Sequence, residues 1–345
     1  MDRTGLFIAI RTLAIGGVGA ALAWLVAMPA PFLTGPAILV TLCGLAGLDM
    51  SVPTGVRNVV FVVIGLTMGQ TVTPEVIEAV RHWPVTLAML AALLVAIIAL
   101  TQIMLSRGWR MDRTTGLLCA SPGHLSYVLG LTEGVKADLR TVSIVQSIRV
   151  LCLTLIVPVA VALAGPLPEA SAATPPVLGL PALALVLAGA FAAGFLLDRL
   201  RLPAAYVIGS MVVGAILHGT RIVTGVVPPD LALAAFVAMG SLIGTRFSGV
   251  TLAELRRSAG AGLAVTALAT ALAIIFSALA ARLTGFDLVT VLIAFAPGGV
   301  ETMSAMSVLL GLDPTFVAAH HVARLMLLTF IVPVFVLGWR RDRAP

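Results

Sequence analysis

Twelve apolar runs, most of them close to the length of a membrane span, follow one another along this chain of 345 residues. They lie near 7–28, 33–49, 57–72, 84–106, 114–134 and 141–163, and again near 182–198, 204–218, 231–245, 258–281, 288–311 and 316–338. A helix needs about 20 apolar residues to cross about 30 Å of hydrocarbon. Backbone in lipid must satisfy its own hydrogen bonds, so helix is the default for each run. Hydrophobic residues make up 60% of the chain and charged residues 10%, against about 25% charged in a soluble domain. That balance excludes a soluble enzyme, a nucleic-acid-binding domain and a disordered regulator. The fold class is therefore an all-α polytopic membrane protein.

The second set of runs repeats the first. The constant offset that lays Pro122-Gly123 on Pro297-Gly298 also lays Asp138 on Asp313, Arg149 on Arg324 and Ile156-Val157-Pro158-Val159 on Ile331-Val332-Pro333-Val334. Residues 122–159 and 297–334 share 11 identities in 38 positions without a gap, where apolar bias alone gives roughly 4. Residues 1–164 and 182–345 read as two repeats of one integrated membrane domain. Residues 165–181, with Pro166, Pro168, Pro175 and Pro176, read as a linker. Internal repeats are a mark of secondary transporters.

Positive charge predicts the topology. Arg11, Arg149 and Arg324 sit inside runs, leaving 18 of the 21 basic residues. If all twelve runs cross, these split 10 to 8, which is no bias. If 114–134 and 288–311 instead dip in and return, the split is 15 to 3, with only Arg81, Arg221 and Arg282 outside. Each repeat then has five crossings and one Pro-Gly re-entrant hairpin, and the odd number of crossings inverts the second repeat. A broken helix that crosses fully is the alternative for those two runs. The first reading places the chain in a bacterial inner membrane, multi-pass, with both termini cytoplasmic.

The hairpin tips carry the candidate site. The first reads Ser121-Pro122-Gly123-His124-Leu125-Ser126 and the second Ala296-Pro297-Gly298-Gly299-Val300-Glu301-Thr302. A break exposes backbone N–H groups at the start of the second arm, which favour an anion; a kink or packing contact is the plainer reading. A buried arginine costs at least about 2.5–3.5 kcal/mol in a membrane, so it needs a partner or an aqueous cavity. Arg149 follows Gln146 by three residues and Arg324 follows His321 by three, so each pair shares a helix face. The two arginines read either as ligands of an anionic substrate or as caps on hairpin carbonyls. Pro122, Gly123, His124, Ser126, Gln146, Arg149, Pro297, Gly298, Gly299, Thr302 and Arg324 form the candidate substrate site. Glu301, which has Ser126 as its counterpart, reads as a coupling carboxylate or as the ion-pair partner of Arg324. His320 and His321 are the other coupling candidates.

Other features read as structure. Asp138 and Asp313 are expected helix N-caps. Gly65-x3-Gly69 and Gly240-x3-Gly244 predict close helix packing. Trp83, Trp109 and Trp339 read as interface anchors. Cys43, Cys119 and Cys152 read as buried apolar residues. No phosphate loop, zinc motif or Ser/His/Asp signature occurs, and no catalytic activity is expected.

The paired Pro-Gly segments, the Asp some fifteen residues on and the following helix with its Arg resemble the AbrB-type membrane protein family. Its members carry names such as ammonia monooxygenase and AbrB family regulator. The resemblance covers essentially the whole chain, as two copies. Pro297-Gly298-Gly299-Val300-Glu301-Thr302-Met303 fits the family pattern, while Pro122-Gly123-His124-Leu125-Ser126 replaces the second Gly and the Glu. A monooxygenase needs clustered metal or haem ligands, which the sequence lacks. Regulation of gene expression would have to be indirect, since nothing here resembles a DNA-reading element.

The expected function is a secondary transporter of a small anion driven by H⁺ or Na⁺, with no other cofactor. The alternative is a membrane sensor or regulatory protein without net transport. The expected partners are the lipid bilayer, a small anionic ligand and a second copy of the chain, but no nucleic acid.

Overall fold

The computed structural model describes residues 3–70, 83–121, 137–164, 176–202 and 204–341. Pro122, Gly123, His124, Ser126 and residues 165–175 of the linker lie outside the described residues.

Helices account for nearly all of it. They are α1 (Arg3–Leu25), α2 (Pro31–Leu45), α3 (Thr54–Gly69), α4 (Trp83–Gly108), α5 (Arg113–Ala120) and α6 (Leu139–Ala164). There follow α7 (Leu180–Arg199), α8 (Ala205–Gly219), α9 (Pro229–Gly244), a 3₁₀ turn at Thr245–Phe247 and α10 (Leu252–Thr284). The chain ends with α11 (Leu288–Phe295), α12 (Val300–Leu309) and α13 (Pro314–Arg341). Among the described residues, seven helices are long and apolar enough to cross a membrane, by length and composition. With the composition, this makes the chain a multi-pass membrane protein. The offset that relates Pro122 to Pro297 also relates helix bounds: α3 and α9 coincide end for end under it, and so do α5 and α11.

Two compact units share the chain. The first comprises Met1–Val80, Thr154–Thr251 and Val300–Val317; the second comprises Arg81–Leu153, Leu252–Gly299 and Ala318–Pro345.

In the first unit α1 packs on α2 and α7 on α8, while α3 lies against α8 and α9 against α2. Small residues make the last two contacts close. A methyl group on Gly69 would fall 2.9 Å from Gly214 Cα, and one on Gly65 would strike Ser210 Oγ and the Val207 carbonyl. A methyl on Gly240 would meet the Leu33 carbonyl, and one on Gly244 would lie 2.7 Å from Val40 Cβ. Both Gly-x3-Gly patterns thus serve packing, with backbone against backbone. The loop after α8 is held by His218, whose Nδ1 and Nε2 lie 2.9 and 2.8 Å from the Gly214 and Gly225 carbonyls.

In the second unit α4 packs on α10 and α5, and α10 packs on α11. Its core includes Leu105, Leu118, Cys119, Val142, Val145, Ala261 and Val265. Arg140 forms two hydrogen bonds with Glu254, at 2.9 and 3.0 Å, tying the start of α6 to the start of α10.

Asp138 and Asp313 cap helices, as the sequence predicts. Asp138 accepts from the Thr141 N–H at 3.1 Å, and Asp313 from the Thr315 and Phe316 N–H groups at 2.9 and 3.0 Å. Trp109 is exposed. The Trp83 ring packs near His320, with centroids 5.8 Å apart.

Candidate functional site

The site grows from two short helices. α5 and α11 have eight residues each, too few to persist unaided. Both are fastened at both ends. Asp112 accepts from the Thr114 and Thr115 N–H groups at 3.0 and 2.9 Å, and Asp287 accepts from Thr290 N–H at 2.8 Å. These carboxylates complement the positive ends of the helices.

The C-terminal ends are closed by side chains from other helices. The residue after α11, Ala296, is extended (φ −54°, ψ 133°), as a residue before proline must be. Gly298 N–H donates to the Ala296 carbonyl at 2.8 Å. This makes a three-residue turn centred on Pro297, whose fixed φ suits it. Arg324, from α13, donates to the Ala296 carbonyl at 2.7 Å and to the Gly298 carbonyl. His321 Nε2 lies 3.0 Å from the Ile293 carbonyl.

The other break is closed in the same way from α6. Gln146 Nε2 donates to the Leu118 carbonyl at 2.8 Å, and Arg149 donates to the Ser121 carbonyl at 3.5 Å and to Gln146 Oε1 at 3.3 Å. The correspondence is residue for residue: Gln146 with His321, Leu118 with Ile293, Arg149 with Arg324, Ser121 with Ala296. The last turn of a helix leaves carbonyls without intrahelical partners, and a cation there also meets the negative end of the helix dipole. Both arginines are 2% exposed, so these carbonyls are part of what makes their burial tolerable. Arg11, half-buried, donates to the Asp49 carbonyl in the loop after α2.

The structure thus brings Gln146 and Arg149 together at one break, and Pro297, Gly298, His321 and Arg324 together at the other. His320 sits in a box of its own. Its Nε2 is 2.7 Å from Thr86 Oγ1, and the Trp83 and Phe295 rings lie 5.8 and 6.1 Å away. Gly299 completes the break before α12, and Thr302 is buried in α12. Glu301 is buried in the first turn of α12, where a carboxylate is favoured by the helix dipole. Its charge reaches Arg246, in the 3₁₀ turn after α9. Among the described residues no cluster of three His, Cys, Asp or Glu side chains could hold a metal ion.

In the sequence Arg246 carries only a topological charge, and Thr86 carries no functional signal. Nothing in either local sequence marks them. Arg246 and Glu301 lie on separate elements with α10 and α11 between them in the chain, and Thr86 is 234 residues from His320. The capped carbonyls at Leu118, Ser121, Ile293 and Ala296 were findable in part. The offset between the halves places Ser121 on Ala296 and Gln146 on His321.

The family model described as "Transition state regulatory protein AbrB" matches residues 32–340. The chain belongs to the AbrB family. Among its relatives is the "Uncharacterized protein YhjN" of Bacillus subtilis (strain 168), 30% identical over 298 residues, covering 79% of this chain and 76% of that protein. Another is the "Putative regulator AbrB" of Escherichia coli (strain K12), 27% identical over 308 residues and covering 86% of each chain.

Proposed function

We propose that this AbrB-family protein is a secondary transporter of a small anion, coupled to H⁺ or Na⁺, in a bacterial inner membrane with both termini cytoplasmic. The observation that carries the reading is the pair of clasped breaks. Two short helices end at equivalent places in the two halves of the chain, each closed by a buried arginine on backbone carbonyls. A discontinuous helix opens backbone groups inside a membrane domain, which is how many transporters build a binding site. Fixed positive charge at both breaks favours an anion as cargo.

The architecture in this reading is two inverted repeats, each of five crossings and a re-entrant hairpin. The end-for-end match of α3 with α9 and of α5 with α11 supports the duplication. So does the make-up of each compact unit, which takes corresponding helices from both halves. Glu301, His320 and His321 are the coupling groups. They occur in the second half alone, since Ser126, Val145 and Gln146 hold the equivalent positions.

The name of the Escherichia coli relative supports a second reading, a membrane sensor that acts on gene expression indirectly and moves nothing. Purified protein in liposomes separates the two. Inorganic phosphate and a panel of small carboxylates are offered under an imposed H⁺ or Na⁺ gradient. Gradient-dependent accumulation of one of them is expected. Ligand binding without accumulation under either gradient would leave the sensor reading standing and end the transporter reading.

Topology has its own test, with single cysteines at 136–140 and 283–287 in a cysteine-free background. Labelling from opposite sides of the membrane is expected. Labelling of both from one side would rule out the inverted hairpins.

A further inference from the structure

His218 holds the loop after α8 with both of its ring nitrogens. Nδ1 lies 2.9 Å from the Gly214 carbonyl, one turn back in α8, and Nε2 lies 2.8 Å from the Gly225 carbonyl, in the loop. Both partners are carbonyl oxygens, which only accept. A neutral imidazole has one N–H, and its other nitrogen is an acceptor; the imidazolium donates from both. In the neutral ring one contact is therefore a hydrogen bond, and the other sets a nitrogen lone pair against a carbonyl oxygen, which repels. The arrangement is complete only when His218 carries its second proton, and hydrogen bonds from a charged donor are the stronger kind.

The surroundings suit that cation. His218 sits in the last turn of α8, where the helix dipole favours positive charge. It is half-buried, so a proton can come and go through water. The helices packed on α8 are α3 and α7. Gly69, at the end of α3, lies against Gly214, which puts Arg57, the charged residue of α3, at that helix's opposite end. Gly194 in α7 lies against Tyr206 at the start of α8, so Asp198 and Arg199, the charged residues of α7, are also far along the helix from His218. The chain leading into α7, residues 176–179, carries no charge. The loop itself carries Arg221, and the first turn of α9 carries Asp230; both are exposed.

The loop is a strap across several elements. Leu178 N–H, in the chain leading into α7, donates to the Val226 carbonyl at 2.9 Å, and Val226 N–H donates to the Pro176 carbonyl at 2.8 Å. Val227 N–H donates to Oε1 of Gln70, the residue after α3, at 3.1 Å. His218 ties Gly225, the residue beside these two, to α8.

We propose that His218 is a proton-binding site that latches this strap. With the second proton bound, the Gly214 and Gly225 carbonyls are both held. On its loss the Gly225 carbonyl is released and the strap loosens, since Gly214 belongs to the same helix as His218 and Gly225 is the partner able to move away. The latch goes beyond the transport reading and stands without it. In the topology proposed above this end of α8 faces outward, so the pH it responds to is that outside the cytoplasm.

The test is hydrogen–deuterium exchange of the purified protein in nanodiscs, corrected for the intrinsic pH dependence of amide exchange. The amides of Leu178, Val226 and Val227 in the wild type are expected to exchange about tenfold more slowly at about pH 5.5 than at about pH 8, on either side of the ordinary histidine range. His218→Gln, uncharged at both pH values, should exchange fast at both. His218→Arg, a fixed cation with several donors, should exchange slowly at both. Equal corrected rates at the two pH values in the wild type would overturn the proposal, and so would persistence of the difference in either variant. Should one variant fail to fold, the other decides, because a pH difference that survives without the imidazole does not come from His218.

Discussion

Removing the Arg324 guanidinium tests whether the buried arginine holds the second break. In Arg324→Ala the Ala296 and Gly298 carbonyls lose their side-chain donors in a buried setting. A buried acceptor stripped of its partner costs about 1–3 kcal/mol, so two give about 2–6 kcal/mol. Ala296 keeps the Gly298 N–H at 2.8 Å, which places the expected loss in the lower half, about 2–4 kcal/mol. That is at least about a 30-fold shift in the folding equilibrium. Arg324→Lys retains the charge but only a single nitrogen, and should recover about half of the loss. The assay is equilibrium unfolding in mixed detergent micelles followed by far-ultraviolet circular dichroism. If Arg324→Ala unfolds at the same midpoint as the wild type, the cap is not what Arg324 does. If it also abolishes anion binding while stability is untouched, the guanidinium serves as a ligand and the capping argument fails.

Two further outcomes follow from particular residues. Gly65→Ala and Gly240→Ala put a methyl group against a backbone carbonyl and should each cost about 1–3 kcal/mol. Gly17→Ala and Gly189→Ala meet nothing within 4 Å and should lose nothing; thermal stability in detergent reads the contrast. Asp138 and Asp313 should respond to pH with opposite sign. The Thr141 hydroxyl, and then its N–H, hold the Asp138 carboxyl below its ordinary value of 3.8. Its contribution is therefore present above that value and lost as pH falls through the lower folded one. Asp138→Asn should accordingly cost stability near neutrality and progressively less in acid. Burial pushes the Asp313 carboxyl above 3.8, against the pull of the Phe316 and Thr315 N–H groups. The wild type therefore loses stability as pH rises from 3.8 through the raised value, and Asp313→Asn should gain on it across that window. Identical pH profiles for the two variants would contradict the assignment.

Much of the fold was legible in the residues. Apolar run length marked the helices because a helix that crosses lipid has few alternatives. Asp138 and Asp313 were recognisable as caps because an N-cap is a local event, decided within three residues. The interruption at Pro297-Gly298-Gly299 was visible because Pro and Gly act on their own stretch of backbone. The correspondence between the two halves even paired Gln146 with His321 before their partners were known.

Capping of carbonyls was one of the two readings open for the buried arginines, but which carbonyls they hold was not legible. Their partners are backbone carbonyls, which every residue carries and no side chain announces. The spacing of Gly65 and Gly69 shows a face that must be approached closely, but any small-residue face could fill it. Only the tertiary structure placed Ser210 and Gly214 there. His320 and Thr86 have the same history: far apart in the chain, they lie 2.7 Å apart only after folding. The sequence alone thus determined that this is a helical membrane protein with two matching interruptions. The tertiary structure decided that carbonyls at the ends of the two short helices are held by Gln146 and Arg149 on one side and by His321 and Arg324 on the other. The physical reason is that helix formation and capping are settled over a few residues, whereas compensating a buried charge depends on whichever acceptors the fold brings within about 3 Å.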